Sequence, residues 1–210
     1  MIFPFKKLLL CLVAAASLNL AASTGPSESQ GADPIVVMQT TKGTLAIRVF
    51  AGMAPTTARN FLDLVSRGYY DGKCFHRVET WCIQGGSNAG DPNGVFVDPS
   101  NGRPRFIPLE INGRLSHSAA GVVAMARMQN RDSGSCQFYI LKKPMTQLNG
   151  QYAIFGGVVN GLNTIYGITP GDRIIHAEIA SGQGGGSSFA APTSTNRSQP
   201  STTPTGPSGF

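Results

Sequence analysis

Charged residues are scarce in this 210-residue chain, and its lysines and arginines form no run longer than two residues. Only 13% of the residues are charged, and the formal net charge of +6 is spread along the sequence. A protein that binds nucleic acid or an anionic membrane surface usually concentrates its cations in one patch. The charge pattern therefore favours neither kind of partner.

Cysteine is also rare, and its spacing fits neither a disulfide framework nor a zinc site. Cys11 lies in an N-terminal apolar run, and the other three cysteines are Cys74, Cys82 and Cys136. An odd number of cysteines leaves at least one without a partner in the chain. Cys74, His76 and Cys82 give a C-x-H-x5-C pattern, which lacks the paired ligands of structural zinc sites. We expect no metal and no cofactor.

A long apolar run occurs only at the N-terminus. Within residues 1–23, Lys6 and Lys7 precede a mostly apolar stretch that ends in small residues, which is the layout of a secretory signal peptide. The stretch is shorter than the roughly 20 apolar residues of a membrane anchor. We predict cleavage near Ala22 or Ser23 and no stable membrane insertion afterwards. The mature protein would then work in a periplasm, a thylakoid lumen or the extracellular space.

Two segments poor in apolar residues flank the rest of the chain. Residues 24–34 are typical of a linker, and residues 181–210 are rich in Gly, Ser, Thr and Pro. Such a segment buries too little surface to offset its ordering entropy, so we predict a disordered tail. A single domain is expected over residues 35–180.

Inside this domain the pattern is mainly that of strands. Residues 34–50 indicate a hairpin around Lys42-Gly43, and residues 55–68 indicate a helix that begins at a proline and stops at a glycine. The further predicted elements are strands at 73–78, 81–84, 106–111, 121–126, 136–141, 153–159 and 173–180, and a helix at 160–168. Strands that do not alternate with helices favour an antiparallel barrel or sandwich with capping helices.

The densest cluster of reactive side chains is KCFHRVETWCIQGG, residues 73–86. Metal binding is disfavoured by the spacing above, and nucleophilic catalysis is disfavoured because the chain has no G-x-S-x-G elbow. A pocket is the third interpretation, in which Arg77, Cys82 and Gln84 line a groove by alternation along two strands. These residues alone do not decide among the three.

The wider sequence does decide, because several motifs resemble one family in the right order. FHRVETWCIQGG resembles F-H-R-V/I-x-x-x-F-M-x-Q-G-G, and GVVAMARMQNRDSGSCQFYI and LNGQYAIFGGVVNG resemble later blocks of the same family. The family is the cyclophilin-type peptidyl-prolyl isomerases, and the resemblance covers residues 35–180. It implies a closed eight-stranded antiparallel β-barrel capped by two α-helices.

The resemblance also implies a role for ten positions. Arg77 matches the catalytic arginine of the family, and Gln84 matches the pocket glutamine and would orient the arginine. His76 is not one of the ten and would pack or hydrogen-bond behind Arg77. The implied substrate-binding residues are Trp81, Cys82, Ala126, Arg127, Gln137, Tyr139, Leu148 and Tyr152.

Some of these positions depart from the family pattern. The interval between the catalytic arginine and the pocket glutamine is one residue shorter than the commonest spacing, and Trp81 and Cys82 replace the pocket Phe and Met. Tyr139 replaces a second pocket Phe, and Gln147 replaces the Trp of many cyclosporin-sensitive members. These changes predict an altered proline pocket and weak drug binding.

The expected function is isomerisation of Xaa-Pro bonds in exported polypeptides by a monomeric enzyme that assists folding. The first alternative is a non-catalytic module that holds proline-containing segments in the same groove. A second alternative is a thiol-redox role through Cys82 or Cys136.

Overall fold

The computed structural model describes residues 33–88, 91 and 93–180. The predicted signal peptide, the tail and nearly all of the linker lie outside the described residues. Among the helices of the described part, none is long and apolar enough to cross a membrane.

The described chain is built mainly from short antiparallel strands. The elements in order are β1 Ile35–Thr40, β2 Gly43–Val49, α1 Pro55–Ser66, β3 Cys74–Val78, β4 Cys82–Ser87, β5 Val97–Asp98, β6 Arg103–Pro104, β7 Val122–Met125, β8 Phe138–Leu141, a 3₁₀ turn Thr146–Leu148, β9 Ile154–Asn160, α2 Thr164–Gly167 and β10 Ile174–Ile179.

Eight of the strands form one antiparallel sheet in the order β10-β1-β2-β9-β7-β8-β4-β3. The two ends of this order meet, since the Phe75 amide donates to the Asp172 carbonyl and the Ile174 amide to the Lys73 carbonyl, both over 2.8 Å. The sheet is therefore a nearly closed barrel with two helices, as the family resemblance implied. Closure matters because it leaves the β3 and β10 edges paired rather than open.

Helix α1 covers one end of the barrel with an apolar stripe. It begins at Pro55, whose missing amide hydrogen is not needed in the first turn. The stripe consists of the buried residues Ala58, Phe61, Leu64 and Val65, and Leu62 beside it is only partly buried. Phe61 packs against three aromatic rings with centroid distances of 4.9 to 5.7 Å: Tyr70, Phe138 and Phe155.

Two local predictions were wrong, and two short strands were not predicted. Residues 106–111 form no strand, because only Ile107 makes an isolated bridge, to Gly134. The second helix spans only Thr164–Gly167 and not 160–168, since Gly161 takes a left-handed φ of 79° ahead of it. The two-residue strands β5 and β6 were missed because pairs this short carry no readable alternation.

Gly86, the second glycine of the QGG motif, is required by both conformation and space. Its φ is +98°, and a Cβ there would lie 2.5 Å from the carbonyl oxygen of Cys136. That oxygen is held by the Tyr70 hydroxyl, which donates to it over 2.9 Å. The carbonyl therefore cannot easily yield to an added methyl group.

We expect Gly86→Ala to destabilise the protein far more than Gly102→Ala. Gly102 also has positive φ, at +69°, but nothing lies within 4 Å of its added Cβ. The control should cost about 1–2 kcal/mol for the backbone conformation, and Gly86→Ala roughly 1–3 kcal/mol more for the clash. Urea unfolding midpoints measure the difference, and equal losses would contradict the steric argument.

Candidate active site

Strand register places the predicted site residues in one row across the outside of the barrel. Arg77 on β3 pairs with Gln84 on β4, and Gln84 pairs in turn with Tyr139 on β8. Tyr139 pairs with Ala124 on β7. Directly opposed residues on neighbouring strands point to the same face. Residues that are up to 62 positions apart therefore share one surface.

The neighbouring positions on these strands point into the barrel. Ile83, Val123, Phe138 and Ile140 belong to the main core, whereas Cys82, Ala124, Tyr139, Leu141 and Ile154 form a separate apolar cluster. This second cluster packs directly beneath the site, because Trp81, Leu148 and Tyr152 lie against it. Period-two alternation explains the division, because successive side chains leave a strand on opposite faces.

A chain of three hydrogen bonds links the polar residues of the row. Arg77 Nη1 donates to Gln84 Oε1 over 3.2 Å, Gln84 Nε2 donates to Gln137 Oε1 over 3.0 Å, and Gln137 Nε2 donates to the Gly94 carbonyl over 2.8 Å. A guanidinium has donors only, and a carbonyl oxygen accepts only. The two ends of the chain therefore fix the orientation of both amides.

The Arg77 guanidinium has two further contacts. Its Nε lies 3.2 Å from a carboxylate oxygen of Glu79, and its Cζ lies 5.3 Å from the centre of the Trp81 ring. The side chain nevertheless stays 45% exposed. Contacts with Gln84, Glu79 and Trp81 thus orient the Arg77 guanidinium, and part of it still faces the cavity described next.

Aromatic rings form the wall of an adjacent cavity of about 310 Å³. Trp81 and Tyr152 each meet the Tyr139 ring edge to face, with centroids 6.0 and 5.7 Å away. The lining is His76, Arg77, Trp81, Gln84, Ala126, Arg127, Tyr139, Leu148 and Tyr152. The cavity combines two arginines, one histidine and one amide with a wall of aromatic and aliphatic side chains.

A second cavity of about 150 Å³ continues the cleft. It shares Gln84, Ala126 and Arg127 with the first, and Gln137 lines it. The Arg127 side chain is anchored beside the cleft, because its Nε donates to the Gln151 carbonyl over 2.9 Å and its Cζ lies 4.8 Å from the centre of the Tyr152 ring. Because the two cavities share three lining residues, they form one continuous cleft.

Nine of the ten predicted site residues therefore line the cleft, and Cys82 does not. Its side chain is fully buried, packed in the apolar cluster with Ala124, Tyr139 and Leu141. A thiol is short, so it stays within the layer beneath the cavity instead of reaching into it. The assignment of Cys82 to the pocket surface was wrong.

The structure also bears on the thiol-redox alternative. Cys74, Cys82 and Cys136 are all buried and unbridged. Burial raises the pKa of Cys82 to about 11, and burial likewise raises the pKa of Cys136. Because the thiolate is the reactive form, both groups are poor nucleophiles. Within the described ranges, no three Cys, His, Asp or Glu side chains are grouped to hold a metal ion.

Two histidines flank the cleft. His76 lines the larger cavity, and its Nδ1 lies 3.0 Å from the Ser87 hydroxyl. His117 was missed as a site residue, although it is fully buried and its Nε2 lies 2.8 Å from the Tyr139 hydroxyl. No local motif marks His117, since its partners Tyr139 and Asn149 are 22 and 32 residues away.

Comparison with known proteins identifies the family. The family described as cyclophilin type peptidyl-prolyl cis-trans isomerase matches residues 35–179. The chain belongs to this family. It is 28% identical to a cyclophilin type peptidyl-prolyl cis-trans isomerase of Cryptosporidium parvum whose crystal structure was determined in the presence of the dipeptide Ala-Pro. The TM-score is 0.64, over 70% of this chain and 99% of that one.

The matching segment makes up different shares of its curated relatives. A peptidyl-prolyl cis-trans isomerase-like 1 of Neurospora crassa is 38% identical over 141 residues, 66% of this chain and 83% of that protein. The CYP65 isomerase of Arabidopsis thaliana is 40% identical over 134 residues, 62% of this chain but only 21% of that protein. A protein of Synechocystis sp. named as a thylakoid lumen isomerase is 34% identical over 180 residues, 70% of this chain and 47% of that protein.

We expect the free energy of unfolding to fall as the pH is lowered from about 6.5 towards 5. Burial lowers the pKa of His76, with Arg77 adding to the effect, and burial lowers the pKa of His117. The unfolded chain then binds more protons than the folded chain in this window, which favours unfolding.

His176 does not offset this loss. Its hydrogen bond to Asp71 raises its pKa, so its stabilising contribution is fully present below about 6.5 and is lost only as the pH rises. Urea unfolding across the window measures the slope, and a His76→Gln/His117→Gln variant should flatten it. A stability that is constant or rises on acidification would contradict the histidine assignment.

Proposed function

We propose that the cleft catalyses cis–trans isomerisation of Xaa-Pro bonds in exported polypeptides, with Arg77 as the catalytic residue. The observation that carries the proposal is the position of the Arg77 guanidinium, which is charged, partly exposed and held by Gln84 beside the aromatic wall of the cavity. Membership of the isomerase family supports the reaction type.

The reaction asks for a hydrogen-bond donor rather than a nucleophile or a metal. Rotation about the peptide bond costs about 20 kcal/mol because it breaks amide conjugation. At the twisted transition state the proline nitrogen recovers a lone pair, to which a guanidinium can donate. A hydrogen bond made only in the transition state accelerates the step instead of merely tightening binding.

The hydrogen-bond chain behind Arg77 prepares that donor. With Gln84 on Nη1 and Glu79 on Nε, the guanidinium keeps its other N–H groups for the substrate. The fixed orientation of Gln84 also means that Arg77 need not reorganise when the peptide twists. Preorganised donors of this kind supply a large share of catalysis in many enzymes.

The aromatic wall would hold the proline ring while the preceding carbonyl swings. Trp81, Tyr139 and Leu148 would supply the apolar surface against the ring, and the small side chain of Ala126 would leave room for the peptide backbone. Gln137 and the backbone near Arg127 would bind the neighbouring residues in the second cavity. The structure of the Cryptosporidium relative, determined with Ala-Pro present, supports a proline-containing peptide as ligand.

Export, a monomeric state and a role in folding are parts of the same proposal. The signal-like residues 1–23 and the name of the Synechocystis relative support a compartment outside the cytoplasm. Mass spectrometry of the protein recovered from its native compartment tests export. We expect a mature N-terminus near residue 23, and an intact residue 1 would contradict it.

Arg77→Ala should abolish most of the activity while the protein remains folded. Losing one transition-state donor should lower kcat and kcat/KM together, by about a hundredfold. Arg77→Lys should retain part of the activity, because it keeps the charge but loses the fork that contacts Gln84 and Glu79. NMR exchange spectroscopy on a short Xaa-Pro peptide measures these rates.

Arg103→Ala is the matched control, since Arg103 is an exposed strand arginine on β6 that lies outside the cleft lining. It should leave the rate unchanged. If the wild type binds the peptide without accelerating exchange, the cleft is a binding module and the catalytic proposal fails. If Arg77→Ala is as active as the wild type, another group supplies the donor.

A further inference from the structure

The larger cavity of the cleft, called the proline cavity below, is lined by Tyr139, and a third cavity is lined by His117. These two hydrogen-bonded side chains together form a partition between the cavities. The third cavity, of about 340 Å³, is lined by His117, Asn149 and Tyr152 among others, and Tyr152 lines the proline cavity as well. His117 lies outside the lining of the proline cavity, and its ring stacks on Tyr139 at 17° with centroids 6.1 Å apart. The hydroxyl end of Tyr139 therefore points away from the substrate side.

The proton positions in this partition follow from the partners. The backbone amide of His117 donates to Asn149 Oδ1 over 2.8 Å, so this oxygen is the acceptor, and Asn149 Nδ2 donates to the Ser116 hydroxyl. His117 Nδ1, 3.0 Å from the same oxygen, must then carry a proton. In the neutral ring Nε2 is an acceptor, and the Tyr139 hydroxyl donates to it over 2.8 Å.

The same histidine is tied to the segment that carries another wall of the proline cavity. The Met145 amide donates to the His117 carbonyl over 2.8 Å, directly before the 3₁₀ turn that holds Leu148. Asn149, at the end of that turn, receives the two His117 hydrogen bonds. His117 thus connects the Tyr139 wall to the Leu148 wall.

We propose that His117 is a positioning residue that holds the Tyr139 ring in place and keeps its hydroxyl out of the proline pocket. The inference rests on the proposed function of the cleft, and it identifies the residue that fixes the Tyr139 ring in the wall of the cleft. It explains how a tyrosine can occupy a pocket position that the family often fills with phenylalanine, because the hydroxyl group of Tyr139 is hydrogen-bonded to His117 and not exposed to the substrate.

Removing the acceptor, His117 Nε2, should bring the Tyr139 hydroxyl into the proline cavity. In His117→Leu the buried hydroxyl has lost its partner, and we expect the ring to move it into the open cleft, where water can solvate it. The ring would tilt towards the substrate side and weaken binding of the proline ring in ground state and transition state alike. KM should rise about tenfold with little change in kcat.

The decisive test is the double variant His117→Leu/Tyr139→Phe. It removes both polar partners at once, so no hydroxyl is left to enter the pocket. We expect KM to return to within about threefold of the wild-type value, a recovery that a general packing role for His117 would not produce. Tyr166→Phe is the matched control, because it also removes a tyrosine hydroxyl that donates a hydrogen bond, to the Lys142 carbonyl, and Tyr166 lies outside the lining of both cavities of the cleft.

Kinetics on the same Xaa-Pro peptide separate the possible results. An inactive wild type refutes the proposed function itself. An active wild type with an unchanged KM in His117→Leu, or a KM that Tyr139→Phe fails to recover, overturns the positioning role alone.

The proton assignment has its own readout, which does not depend on activity. Nitrogen-15 NMR of the folded protein should show a protonated Nδ1 and an unprotonated Nε2 for His117 at neutral pH. Addition of the Xaa-Pro peptide should shift the Nε2 resonance of His117 through Tyr139. The opposite tautomer would overturn the inference.

Discussion

The site depends on the cross-strand register that places Arg77 opposite Gln84 and Gln84 opposite Tyr139. A slip by one residue would turn these side chains into the barrel and bring core residues such as Ile83 and Ile140 to the surface. Because exposing these apolar core residues to water would be unfavourable, their burial maintains the register. In this way the packing of the barrel interior secures the geometry of the cleft outside it.

Satisfied polar groups are the second constraint. Arg77, Gln84, Gln137 and the Gly94 carbonyl form one directed chain, and Tyr139, His117 and Asn149 form another. In each chain a group with a single possible role fixes the others: the guanidinium in the first, the His117 backbone amide in the second. The pocket between the two chains is bounded by groups whose orientation is already fixed before the substrate binds.

Much of the fold and of the site could be predicted from the sequence. Strand alternation and the glycine-bounded turns gave most strands to within a few residues, because burial on one face leaves a period of two. The motif around Arg77 located the cleft, because a family resemblance carries residue identity as well as pattern. Prediction failed at residues 106–111, where apolar residues cover the core without pairing as a strand, and at Cys82, where depth and not identity decides exposure.

The sequence alone determined which chemistry is possible: an arginine close to glutamines and aromatic residues, few thiols and no metal-binding spacing. Only the tertiary structure decided which groups are shared between distant segments. The partnership of His117 with Tyr139 and Asn149 spans 32 residues and depends on the position of the 3₁₀ turn against the barrel. Such contacts leave no local pattern, because they are set by strand register and loop packing rather than by neighbouring residues.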